Sequence, residues 1–61
     1  GLLLRFVTAD ACALFLANPR STAMVLERLN PLTLLLHPNS QEAAHRLLAE
    51  LGILAETEAV V

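Results

Sequence analysis

Residues 32–52, LTLLLHPNSQEAAHRLLAELG, carry a strand, a turn and a helix in direct succession. Residues 32–37 (LTLLLH) are short and mostly apolar and read as a strand. Pro38 closes that strand. Asn39 followed three residues later by Glu42 has the layout of a capping box, with Asn in place of Ser or Thr. The helix that follows, residues 40–51, has the clearest 3.6-residue period in the chain: Ala44, Leu47, Leu48 and Leu51 fall on one stripe. On its outer side Glu42 and Arg46, and then Arg46 and Glu50, stand four residues apart, the spacing of helical ion pairs. Gly52 supplies the stop.

Upstream, residues 2–7 (LLLRFV) read as another strand. Thr8 offers an N-cap hydroxyl, and Asp10 puts negative charge where a helix dipole favours it. Residues 9–17 (ADACALFLA) are good helix formers. Asn18-Pro19 interrupts them, because the residue before proline is pushed out of the α region. Pro19 suits the first position of a second helix capped by Asn18. That helix is expected to run to about residue 28, with Thr22, Val25, Leu26 and Leu29 on one face, and to end at Asn30-Pro31. Downstream of Gly52, residues 53–61 (ILAETEAVV) read as a third, partly alternating strand.

The expected order is therefore β-α-α-β-α-β, an α/β fold with a small three-stranded sheet and helices packed on one face. Helices between strands favour a parallel or mixed sheet with right-handed crossovers. Strand parity then divides the sheet. Leu2, Leu4, Phe6, Leu32, Leu34 and Leu36 should face the helices. Leu3, Arg5, Val7, Thr33, Leu35 and His37 should face the other way and form an amphipathic contact surface. Leu54, Glu56, Glu58 and Val60 could join that second face, bringing Arg5 near Glu56 or Glu58.

The chain has 61 residues, enough for one domain spanning 1–61. A domain of this size buries only about 60% of its unfolded surface. Yet the chain is 56% hydrophobic and only 16% charged, so some apolar surface must stay outside and mark a contact region. Gly1 runs straight into three leucines, and the other end stops at Val60-Val61. Both ends read as interrupted strands of a larger protein. The expected partners are neighbouring domains of that parent or a second copy of the chain.

The four basic residues are all arginine and face six acids, a balance that argues against direct nucleic-acid binding. The longest uninterrupted apolar stretch, residues 11–17, is far too short to cross a bilayer. Cys12 is single, so no internal disulfide is available, and an unpaired thiol fits a reducing cytoplasm.

No catalytic constellation emerges. Cys12 with His37 or His45 would be the only nucleophile–base pairing, and Cys12 sits in an apolar helix where a small buried hydrophobe is the usual role. One Cys and two separated His lack zinc spacing. His45 should lie on the outer side of its helix, and His37 should cap a strand end. Two glycines cannot build a phosphate-cradling loop. The two aromatics, Phe6 and Phe15, read as core. No cofactor or metal is expected, nor enzymatic activity.

The succession of Asp10, Asn18-Pro19-Arg20, Leu29-Asn30-Pro31, Asn39 with Glu42, and Leu48-Ala49-Glu50-Leu51-Gly52 resembles a known pattern. It is similar to the accessory α/β module of bacterial XPB-like helicase-related proteins, the helicase conserved C-terminal type. The likeness runs over nearly the whole chain and rests on capping and packing residues. It departs after Gly52, where that family often has an aromatic and a proline and this chain has Ile53-Leu54-Ala55. The resemblance implies a non-catalytic part of a DNA-repair or helicase-associated protein, with no ATPase residue in this segment. Two other readings stand beside it: a self-associating fragment, and a small-molecule regulatory domain of ACT-like layout.

Overall fold

The computed structural model describes residues 1–60. Its elements are β1 (Leu2–Phe6), α1 (Ala9–Ala17), β2 (Val25–Asn30), β3 (Thr33–Leu36), α2 (Gln41–Leu51) and β4 (Ala55–Ala59), with 3-10 turns at Pro19–Ala23 and Pro38–Ser40. The four strands form one sheet in the order β2-β3-β1-β4, and every neighbouring pair is antiparallel. This β-α-β-β-α-β order, with β3 inserted between β1 and β2, is the ferredoxin-like split βαβ arrangement.

The first helix keeps its expected bounds. Thr8 Oγ1 accepts a hydrogen bond from the Ala11 N–H, and Asp10 lies in the first turn. Phe15 and Cys12 point inward from it and are fully buried. On α2 the expected stripe is also inside: Ala44, Leu47 and Leu48 are buried and Leu51 is half-buried. Gly52 ends α2 in the left-handed region (φ 69°), where its N–H reaches the Ala49 and Leu48 carbonyls. No atom would crowd a Cβ there, so Gly52→Ala carries only a backbone cost. A loss of about 1 kcal/mol in urea denaturation is expected.

The structure departs furthest from expectation at residues 19–28, expected as a second helix that Asn30-Pro31 would end. Asn18 Oδ1 accepts from the Arg20 N–H, and Pro19–Ala23 makes only a short 3-10 turn. Ser21 is buried with its hydroxyl within reach of the Leu16 and Asn18 carbonyls. The chain then extends as β2 and returns as β3. Asn30 Oδ1 accepts from the Leu32 N–H across Pro31, so Asn30-Pro31 forms a tight turn between two strands rather than a helix end. Leu26 and Leu29, which gave the segment its apparent helical stripe, are about half exposed. The sheet consequently has four strands, not three. The hairpin also makes it wholly antiparallel, not parallel or mixed.

Smaller corrections follow the same lines. β1 stops at Phe6, leaving Val7 in a bend, and β3 spans Thr33–Leu36, short of Leu32 and His37. The capping box does not form: Ser40 occupies the N-cap position of α2 without a side-chain cap bond. Arg46 pairs with Glu42 at 3.0 Å, but Glu50 turns instead to Arg20. The last strand covers Ala55–Ala59; Val61, expected at its end, lies outside the described residues.

The parity reading holds for Leu2–Phe6 and for Leu34 and Leu36, but Leu32, expected to face the helices, lies in the turn before β3 and is exposed. Leu2, Leu4, Phe6, Leu34 and Leu36 meet Cys12, Phe15, Met24, Ala44, Leu47 and Leu48 in one core between sheet and helices. Both helices therefore cover the same side of the sheet. The Phe6 and Phe15 rings lie 5.4 Å apart, tilted by 57°, a favoured aromatic geometry.

Candidate functional site

The uncovered side of the sheet is built in two cross-strand rows. Leu3 stands opposite Leu35 on β3 and Glu58 on β4, and Leu35 in turn stands opposite Glu27 on β2. The next row runs Glu56, Arg5, Thr33, Asn30. The result is a short apolar centre, Leu3 and Leu35, with a carboxylate on each side. Both leucines are half-buried by their neighbours. Arg5 sits 3.8 Å from Glu56 and 3.9 Å from Glu58, the proximity expected from parity. These pairs are open to solvent, so they orient side chains more than they stabilise the fold.

Of the six residues singled out from sequence, four share this face: Leu3, Arg5, Thr33 and Leu35. Thr33 is only 6% exposed and forms part of the floor. Val7 lies beyond β1 and is 71% exposed. It lines a groove at the end of the sheet with Arg5, Phe6, Leu54, Ala55 and Glu56. His37 follows β3, half-buried, and its backbone N–H bonds to the Met24 carbonyl. Glu27 and Asn30 escape sequence reasoning because Glu27 is expected inside a helix and Asn30 at its stop, whereas both belong to β2. Leu14 was missed as well; with Val7 and Leu54 it forms an exposed apolar corner. The signal available for it was an α1 apolar on every side, more than one buried face can use.

The remaining reactive groups lie apart. Cys12 is buried on α1; burial pushes its thiol above the ordinary range, and the Arg28 guanidinium opposes this. His45 is exposed on the outer side of α2. Among the described residues no group of three or more His, Cys, Asp or Glu could hold a metal ion. Each arginine already has a neighbour: Arg5 the two β4 carboxylates, Arg20 Glu50, Arg46 Glu42, and Arg28 the Pro31 carbonyl. Among the described residues no helix is long and apolar enough to cross a membrane. No protein-family model, characterised protein or solved structure matches the chain.

Proposed function

We propose that the chain is a non-catalytic interaction or regulatory module, working through the uncovered face of its sheet, within a helicase-like, DNA-associated protein. The observation that carries the first part is the pairing of Leu3 with Leu35 on the side away from the core. Two adjacent leucines at the middle of an open sheet face lose exposed apolar surface when a neighbour docks. The flanking Glu27, Glu56, Glu58 and Arg5 would form the polar rim that such interfaces carry. The helicase-like parent rests on the sequence resemblance described above, of which the Leu51-Gly52 helix end keeps its expected form, whereas Leu29-Asn30-Pro31 forms a hairpin turn in place of a helix end. The partner is a neighbouring domain of that parent or a second copy.

Leu35→Lys tests this reading. The side chain points away from the core, so the substitution should leave helicity and thermal midpoint nearly unchanged. Association, followed by light scattering over a concentration series and by binding to the flanking parent domains, should weaken at least tenfold. Unchanged association on both measurements would overturn the reading.

The split βαβ order favours a second reading, a regulatory domain of ACT-like layout that binds a small molecule. A thermal-shift screen with metabolites separates the two, since a pure docking module should show no stabilisation by any of them.

A further inference from the structure

The two edges of the sheet differ in a way that points to a partner. β2, at one edge, pairs irregularly with β3: the register slips between Val25 and Glu27 and again between Arg28 and Asn30. Slips of this kind bend a strand and protect an edge from further pairing. β4, at the other edge, keeps one-to-one register with β1 from Ala55 to Ala59. It contains no proline and no bulge.

The direction of its backbone groups follows from one pair. Gly1 and Val60 exchange both hydrogen bonds, at 2.9 and 2.8 Å. Bonded pairs alternate along an antiparallel ladder, so Leu3–Glu58 and Arg5–Glu56 are bonded pairs too. The N–H and C=O groups of Ala55, Thr57 and Ala59 therefore point outward along the free edge. Such a row is a template for strand addition.

Charge decides what the template accepts. Glu56 and Glu58 stand beside it with side chains 84% and 61% exposed, and Arg5 is the one cation between them. A second copy pairing antiparallel about Thr57 would set Glu56 of one copy opposite Glu58 of the other, twice over. Like charges directly opposite are destabilising. A strand with basic residues two positions apart would instead set a cation against each carboxylate.

We propose that the β4 edge takes up an extended basic segment of a partner protein by strand addition, with a Lys or Arg opposite each of Glu56 and Glu58. The proposal rests on the interaction-module reading but uses the edge of the sheet rather than its face.

The probes are two synthetic peptides with central Lys-Val-Lys or Glu-Val-Glu, titrated against the whole chain by fluorescence anisotropy. The Lys peptide should bind at least tenfold more tightly, and 0.5 M salt should weaken it. Amide exchange at Thr57 and Ala59 should slow on binding, whereas Glu56 and Glu58, already bonded to β1, should change little. Thr57→Pro removes an outward N–H and no ladder bond, a position where an edge strand tolerates proline. It should abolish binding with little loss of helicity. If that variant fails to fold, the Glu56→Lys/Glu58→Lys double variant serves instead and should reverse the preference toward the Glu peptide. Equal binding of both peptides, unslowed Thr57 exchange, or no reversal of preference would each overturn the proposal. Leu35 lies two strands from this edge, so Leu35→Lys should leave peptide binding intact. A Leu35→Lys defect with no Lys-peptide binding would remove the edge proposal and keep the face reading; the opposite result would do the reverse.

Discussion

Leu34→Lys is expected to leave the chain unfolded at 25 °C, while Leu35→Lys, one residue along, is expected to leave it folded. Leu34 lies at the middle of β3, opposite Leu4, and is fully buried in the core. Replacing it removes a buried leucine, a loss of about 2–5 kcal/mol. It also forces an ammonium group into a core composed of leucine, phenylalanine, methionine, cysteine and alanine side chains. An uncompensated buried charge adds several kcal/mol more. A domain of this length has about 3–9 kcal/mol in total at the usual stability per residue. The expected penalty therefore reaches or exceeds the whole. Leu35 belongs to the opposite side of the same strand, where an ammonium stays hydrated and Glu27 stands across from it. Far-UV circular dichroism and thermal melts of the two variants make the comparison. A folded Leu34→Lys beside an unfolded Leu35→Lys would mean that the sheet presents its other side to the helices.

Phe15→Ala should lower stability by about 3–5 kcal/mol, the range for removing a buried phenylalanine. Phe15 is the largest fully buried side chain, and its ring meets Phe6 on β1 in a tilted pair. The pair joins α1 to the sheet, so its loss should loosen the helix as well as open a cavity. Urea denaturation followed at 222 nm measures the change. Phe15→Leu, which keeps most of the volume, should lose clearly less. Equal losses for the two substitutions would show that packing volume at this position is not what holds α1 in place.

The parts of the fold legible from residues alone are those with a local cause. Thr8 and Asp10 marked the start of α1, and Asn18-Pro19 marked its end. Gly52 marked the end of α2, and the stripe of Ala44, Leu47 and Leu48 named its inner face. Alternation along β1 and β3 named the buried side of the sheet and, with it, Leu3, Arg5 and Leu35 as outward residues. The Arg5 neighbours Glu56 and Glu58 followed from the same alternation. What misled was residues 22–29, where Thr22, Val25, Leu26 and Leu29 match a helical period over barely two turns. In so short a span that pattern does not separate a helix from an irregular edge strand. The proline after Asn30 was equally ambiguous, since it can end a helix or form a hairpin turn.

Caps, breakers and alternation act within a few residues, and so the beginnings and ends of α1 and α2 and the inward side of β1 and β3 were already present in the amino-acid order. The strand state of residues 25–30 and the slips along that edge came from hairpin pairing with the adjoining β3, and the β2-β3-β1-β4 order with its regular β4 edge came from pairings of β1 with β3 and β4 that are distant along the chain. The outward backbone groups of β3 need hydrogen-bond partners, and the segment returned beside them by the Asn30-Pro31 turn supplies those partners. That demand outweighs the weak helical preference of six residues. It also completes the face and edges from which the proposed interactions are drawn.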